Sequence, residues 1–135
     1  MIPNANITIY NKFINAQKEY FQRSVVSDVV WQSTKSVSGL GSGKLANNTA
    51  TILIPIGSAS NYLPPKAWLA LENKAGKWTL LEGDFIVRGE VADEITTTFT
   101  ISALKKKYDY VVEITSVDDM LEGSEAVQHY EVGAK

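Results

Sequence analysis

The sequence predicts a mainly β protein, a small β-barrel or sandwich of about seven strands with one or two short helices and long loops. Three observations favour this class. Short segments rich in β-branched and aromatic residues follow one another closely, apolar and polar residues alternate in several of them, and helical signals are confined to two turns. With 135 residues, 44% of them hydrophobic, the chain has the size and composition of a single domain spanning residues 1–135.

The strand predictions rest on period-two alternation and on the turn residues between segments. Residues 19–34 are predicted as one long bent strand or a tight hairpin about Ser27-Asp28, because β-branched and aromatic side chains fill them. Residues 94–102 are predicted as a strand with one wet side, because apolar side chains and threonines alternate there. The remaining predicted strands are 7–11, 49–55, 78–81, 85–88, 108–117 and 126–132.

Two short helices are predicted. Pro64-Pro65 precede the first, since proline suits a first helical turn, and Trp68 and Leu69 lie close to one of its faces. The second covers residues 103–108, with Ser102 as its N-cap.

The glycine-rich run "SGLGSGKL", residues 38–45, raises the question of phosphate binding. A nucleotide-binding phosphate loop needs a glycine where Ser38 stands and a serine or threonine where Leu45 stands. A dinucleotide-binding loop would need a third glycine at Lys44. Both patterns fail, so the run predicts a flexible Gly/Ser-rich loop at about 36–49, long enough to serve as an interaction arm.

Composition excludes several classes of protein. Thirteen basic against 15 acidic residues give a formal net charge of −2, which is unlike a tight, sequence-reading DNA-binding protein. The absence of cysteine excludes disulfides, thiolate metal sites and a cysteine nucleophile. The first residues do not resemble a signal peptide, and no apolar run approaches bilayer-spanning length. We therefore expect a soluble cytoplasmic product with no membrane partner.

Catalytic signals are weak. The single histidine, His129, has no candidate nucleophile or metal ligand beside it. The acidic pairs Asp93-Glu94 and Asp118-Asp119 lack the alternating oxygen ligands of a calcium loop. We expect no catalytic residue, no metal and no cofactor.

Aromatic and basic residues leave two further alternatives. Trp31, Trp68 and Trp78 are expected in the core, although Trp68, Trp78 or Tyr62 would suit a peptide or carbohydrate platform. Residues 105–107, three consecutive lysines, are expected on a solvated face or in a patch facing DNA or an acidic partner.

The whole chain also carries a resemblance to a known group of proteins. The order of "NANITIYNK", "VVWQSTKS", "TILIP", "PPKAWLAL", "LEGDFIVRGEV" and "YDYVVEITSVDD" resembles small, mostly uncharacterised proteins encoded in the structural gene clusters of tailed phages and prophages of Gram-positive bacteria. In size and strand pattern this group is similar to the head-closure, or stopper, proteins of the phage neck.

The resemblance implies a structural virion protein, assembled in the bacterial host cytoplasm as a hexameric or dodecameric ring between portal or adaptor and tail. A tail-terminator or tail-completion protein is the nearest variant, and a monomeric peptide- or carbohydrate-binding β module is the alternative from another class. The expected contacts to neighbouring subunits come from ten residues: Ser38, Gly39, Leu40, Gly41, Ser42, Gly43, Lys44, Asn61, Tyr62 and Leu63. Lys105, Lys106 and Lys107 would form a patch with weak, non-specific contact to DNA in the channel.

Overall fold

A computed structural model describes the backbone of residues 2–38 and 45–135 and the side chains of residues 2–33 and 49–135. Its strands are β1 (Ala5–Asn15), β2 (Lys18–Ser38), β3 (Leu45–Pro55), β4 (Phe85–Arg88), β5 (Val111–Met120) and β6 (His129–Ala134). Its helices are α1 (Pro65–Leu69) and α2 (Ile101–Lys107), and a 3-10 turn spans Ile56–Ser58. None of the helices in the described ranges has the length and apolarity that crossing a membrane requires.

The strands close into an antiparallel barrel in the order β1-β2-β3-β6-β5-β4, with β4 pairing back to β1. Closure gives each strand of the barrel two hydrogen-bonded neighbours, although β2 pairs with its two neighbours along successive stretches. The predicted mainly β class is confirmed as a barrel, with six strands in residues 2–38 and 45–135 where about seven were expected.

β2 bends as it passes from one neighbour to the other. Its residues 18–29 pair with β1 and its residues 30–38 pair with β3. At the bend Asp28 has φ 60°, and Asn6 Oδ1 accepts a hydrogen bond from the Asp28 backbone N–H at 3.1 Å. The register between β1 and β2 shifts at the same place, as at a β-bulge. Of the two predictions for residues 19–34, the long bent strand is correct.

The main hydrophobic core fills the inside of the barrel. Alternate residues of a strand, such as Ile7 and Ile9 in β1 or Ile52 and Ile54 in β3, are fully buried there, because a period of two places them on one face. All three tryptophans are buried as predicted: Trp31, Trp68 and Trp78 are no more than 4% exposed.

A second cluster covers the outside of β1 and β4. Tyr10 and Val87 pack there against Leu104 of α2 and the segment before it, including Ile95 and Phe99. This packing corrects the prediction of a strand at residues 94–102, because the alternating apolar side chains pack onto the barrel while the backbone turns.

The threonines of that segment explain the turn. Thr96 Oγ1 accepts hydrogen bonds from the backbone N–H groups of Thr98 and Phe99, at 3.3 and 3.1 Å, a local bond that competes with strand pairing. Thr100 then caps α2 by accepting from the Ala103 N–H at 3.3 Å. The predicted cap at Ser102 is therefore wrong, since the helix begins at Ile101.

Residues 78–81 are also not a strand. Trp78 forms one isolated β-bridge with Tyr62. At the next residue, Thr79, the buried side chain of Asn11 makes the backbone hydrogen bonds that a neighbouring strand would otherwise make. Asn11 Oδ1 accepts from the Thr79 N–H at 3.1 Å, and its Nδ2 donates to the Thr79 carbonyl at 2.9 Å and to Asp84 Oδ2 at 2.8 Å. Burial raises the pKa of Asp84, while hydrogen bonds from Asn11 and from the Lys12 N–H oppose the rise.

Candidate functional site

Beyond the barrel, β2 and β3 continue together as a two-stranded ribbon, which we call the arm. Residues 35–38 of β2 pair with residues 45–48 of β3, from Lys35 opposite Asn48 to Ser38 opposite Leu45. The pairing of β1 with β2 ends at Val29, and the pairing of β6 with β3 begins at Ala50. Among the described strands none pairs with the outer edges of residues 35–38 and 45–48, so the arm presents two backbone edges to a partner.

The arm differs from the loop predicted at about 36–49. Residues 36–38 and 45–49 belong to the strands, because pairing across the ribbon satisfies backbone groups that a loop would leave to water. Ser38 is the last residue of β2, and Gly39, Leu40, Gly41, Ser42, Gly43 and Lys44 lie outside the described residues. β3 begins at Leu45, where a phosphate loop would be followed by a helix.

The base of the arm is fixed to the barrel. Asn4 Oδ1 accepts a hydrogen bond from the Trp31 backbone N–H at 2.8 Å, and Asn4 Nδ2 donates to the Trp31 carbonyl at 3.1 Å. The indole Nε1 of Trp31 donates to Ser33 Oγ at 2.7 Å. The guanidinium of Arg88 lies 5.9 Å from the Trp31 ring and 5.6 Å from the Tyr110 ring. These contacts hold the direction in which the ribbon leaves the barrel.

The second predicted contact segment, Asn61, Tyr62 and Leu63, is tied to the body of the protein. The backbone of Asn61 accepts from the Trp78 N–H at 3.1 Å, and the Leu63 N–H donates to the Trp78 carbonyl at 2.9 Å. The Tyr62 ring packs against Trp78 and Tyr130, with centroid distances of 5.4 and 4.4 Å. Burial, with the Asp119 carboxylate adding to it, raises the pKa of Tyr62 to about 12. Of the three predicted residues, only Asn61 is exposed.

The three lysines of the predicted DNA patch lie at the end of α2 and have different surroundings. Lys107 Nζ is 3.0 Å from Asp93 Oδ2, and hydrogen bonds from Tyr108 and Lys107 lower the pKa of Asp93. Lys105 Nζ lies 5.0 Å from the Phe85 ring. Within the described residues only Lys106 of the three has no hydrogen bond, ion pair or ring contact, so it is the lysine most available to an external anion.

His129 has a backbone carbonyl and a carboxylate as the polar neighbours of its ring. Its Nδ1 is 2.8 Å from the Val127 carbonyl and its Nε2 is 3.9 Å from Glu131 Oε1. Among the described residues, no group of three or more His, Asp or Glu side chains is placed to hold a metal ion.

Comparison of the sequence and the structure with known proteins assigns the chain to one protein family. The model of a family of unknown function, DUF6751, matches residues 2–135. The chain belongs to this family. No curated protein and no solved structure matches it.

One surface of this family member was missed by sequence reasoning. A groove of about 470 Å³ on the β5–β6 hairpin is lined by Asp119, Met120, Glu122, Val127, His129 and Glu131; we call it the acidic groove. Met120 and Val127 are 41% and 53% exposed, so the groove presents apolar side chains beside its carboxylates. The signal was in the sequence: residues 109–131 hold seven of the 15 acidic residues and no lysine or arginine.

Proposed function

We propose that this protein is a structural component of the tailed-phage neck, a head-closure protein that assembles as a ring between portal or adaptor and tail. It works by shape: a stiff barrel positions the arm, and the arm contacts neighbouring subunits. The observation that carries the proposal is the arm itself, with its unpaired outer edges at residues 35–38 and 45–48.

Backbone edges of this kind pair readily with strands of other chains. A sheet edge offers a row of N–H and C=O groups, and proteins that leave such an edge exposed either protect it or use it for strand addition. In the arm both strands have an outer edge that no described strand pairs with, so we expect a neighbour to add its strand there. An assembly built this way has a defined direction, because each copy extends its arm from the same barrel end.

The barrel suits a protein that must keep its shape under load. Its core is continuous, and a second apolar cluster clamps α2 against the outside of β1 and β4. Both features oppose deformation, since packed side chains resist changes of even one methylene in volume. Near-neutral net charge is compatible with DNA sliding past the ring, because a strongly basic surface would retain it.

The alternative of a peptide- or carbohydrate-binding module is less favoured. Such a module needs an exposed aromatic platform, for which Trp68, Trp78 and Tyr62 were the candidates. Trp68 and Trp78 are 0% and 3% exposed, and the Tyr62 ring packs against Trp78 and Tyr130. The tail-terminator alternative remains inside the same proposal, because it differs only in the position of the ring along the particle.

Electron microscopy of particles from a strain that carries the gene tests the proposal. Deleting the gene is expected to give DNA-filled or leaking heads without attached tails, and expressing the intact chain in trans is expected to restore tailed particles. Tails of abnormal length on normal heads would indicate the tail-terminator position instead. Normal, infectious particles after deletion, or absence of the chain from purified particles by mass spectrometry, would overturn the proposal.

A further inference from the structure

A second groove, of about 610 Å³, lies beside the β1–β2 hairpin. One of its walls is formed by four consecutive residues of β2, 18–21, and the other by residues 95–97 and 100–102, at the start of α2. Successive side chains of a strand point to opposite faces, so a groove that touches four residues in a row runs along the backbone edge of the strand. We call it the edge groove.

The turn of the hairpin determines which backbone groups of β2 face the edge groove. It consists of Ala16-Gln17, with φ 51° and 66°, and it joins the paired residues Asn15 and Lys18. The pair next to a two-residue turn of this kind exchanges backbone hydrogen bonds, and bonded and non-bonded pairs then alternate along the ladder. Glu19 and Phe21 therefore point their N–H and C=O groups away from β1.

The opposite strand supports this alternation. It places the N–H of Lys12 on the outer edge of β1, and that N–H donates to Asp84 Oδ1 at 3.2 Å. On β2, in contrast, none of the described residues hydrogen-bonds the outward N–H and C=O groups of Glu19 and Phe21. Four backbone groups at this edge are thus available to another strand.

The far wall of the edge groove is apolar and uncharged. Ile95 and Ile101 line it, and both pack on the same apolar cluster as Phe21 of the near wall. Residues 95–102 include no aspartate, glutamate, lysine or arginine. The wall therefore suits a neutral segment with an apolar side chain, because burying an unpaired charge against it would be costly.

We propose that the edge groove binds an extended, uncharged segment of a different protein, which adds to β2 as a strand. Its backbone would pair with the outward N–H and C=O groups of Glu19 and Phe21. Every second side chain of the added strand would lie on the Phe21 face of the sheet, beside Ile95 and Ile101, and is therefore apolar. Backbone hydrogen bonds supply affinity in this mode of recognition, and the apolar contact supplies specificity.

The dimensions of the edge groove favour a different protein over a second copy of this chain. Because Phe21, Ile95 and Ile101 pack into one cluster, the far wall lies close to the edge and leaves space for a single strand. The unpaired edges that the described residues offer, in the arm and at residues 18–21, belong to two-stranded ribbons. The inference goes beyond the neck proposal, since it concerns a surface separate from the arm.

Peptide selection and NMR test the proposal. The probes are synthetic copies of peptides enriched from a yeast-displayed library of random octapeptides that is selected against the intact chain. At a peptide concentration about tenfold above Kd, hydrogen exchange of the Glu19 and Phe21 amides is expected to slow about tenfold. The amides of Lys18 and Tyr20 should change little, because they already pair with β1.

A proline at the edge makes the test specific. Glu19→Pro removes an outward N–H and leaves the ladder to β1 intact, as proline does on edge strands. We expect it to raise the Kd of the peptides at least about tenfold, because it removes one hydrogen bond and obstructs the others. Glu19→Ala is the matched control: it keeps the N–H, and its Kd should stay within about threefold of the wild type.

A second pair of variants tests the far wall without altering the strand. Thr97→Trp fills the edge groove from that wall and should also raise the Kd at least about tenfold. Thr98→Trp is its control, because Thr98 is equally exposed and does not line the groove. Circular dichroism melts verify that every variant is folded.

A library that yields no binding peptide would overturn the proposal, as would peptides that bind Glu19→Pro and Thr97→Trp as tightly as the two controls. Concentration-dependent shifts of the Glu19 and Phe21 amides without peptide would place a second copy in the edge groove and contradict it as well. None of these outcomes affects the neck proposal, which particle morphology decides.

Discussion

The arm continues two of the strands that form the barrel, yet the backbone edges of β3 meet different surroundings in the two regions. Within the barrel, β2 has β1 on one part of its length and β3 on the other, and β3 has β6 as its second neighbour. In the arm, the described residues of β2 and β3 have only each other. We infer that the barrel part of these strands contributes to the free energy of unfolding and that the arm contributes to contact with other subunits. Substitutions in the barrel should therefore change stability, and substitutions in the arm should change assembly.

The largest effect on stability is expected from removing a tryptophan of the barrel core. Trp78 is 3% exposed and packs edge-on against Tyr62, so Trp78→Ala leaves a large cavity. We expect a loss of roughly 3–5 kcal/mol in the free energy of unfolding, measured by urea titration with circular dichroism.

Val25→Ala serves as the control for that substitution. Val25 is an exposed apolar residue of β2, and its truncation should change stability by no more than about 0.5 kcal/mol. A similar, small loss in the free energy of unfolding of both variants would contradict the expectation that the barrel core stabilises the protein.

A smaller loss is expected where β5 and β6 approach each other closely. A Cβ at Gly133 would lie 2.4 Å from Ser116 Oγ, opposite the register shift in β5. Gly133→Ala should therefore cost about 1–3 kcal/mol through overpacking. Gly57→Ala is the matched control, because a Cβ there meets no atom within 4 Å; equal stability of the two variants would contradict the close approach.

The buried carboxyl group of Asp84 should give the barrel a pH dependence of known sign. Burial raises its pKa in the folded protein above the usual 3.8, so its contribution to stability is fully present below pH 3.8 and is lost as pH rises through the folded pKa. In urea titrations from pH 3 to pH 7, the stability of the wild type relative to Asp84→Asn should therefore fall as pH rises. A constant difference, or one that grows with pH, would be inconsistent with a raised pKa.

Sequence patterns predicted the barrel well where local alternation and burial agree. The segments of β1, β3 and β4 were found near their expected places, and burial of the tryptophans followed from their size and apolarity. The long bent form of β2 was one of two open alternatives, because only a tertiary contact, from Asn6 to the bend at Asp28, decides between a bend and a hairpin.

The errors arose where side chains replace backbone pairing. At residues 78–81 the amide of Asn11 occupies the backbone groups of Thr79, and at residues 94–102 threonine hydroxyls turn the chain while apolar residues pack onto β1 and β4. The turn at Gly83-Asp84 predicted the first strand and the alternation of apolar residues and threonines predicted the second, and neither signal reveals a distant partner.

The candidate site was predicted less completely. The region of the arm was anticipated as a loop, since serine, asparagine and glycine are poor strand formers, whereas pairing across the ribbon extends both strands into it. The acidic groove was overlooked because the net charge was considered for the whole chain. That value of −2 does not show that residues 109–131 contain seven acidic residues and no lysine or arginine.

The central claim is that the arm serves assembly and the barrel stands without it. The most direct measurement replaces residues 36–47 by Asn-Gly, which joins Lys35 to its partner Asn48 by a two-residue hairpin turn, and follows both unfolding and incorporation into phage particles. We predict a free energy of unfolding within about 1 kcal/mol of the intact chain and no restoration of tailed particles in the deletion strain. A shortened chain that restores tailed particles as well as the intact one, or that no longer folds, would contradict the claim.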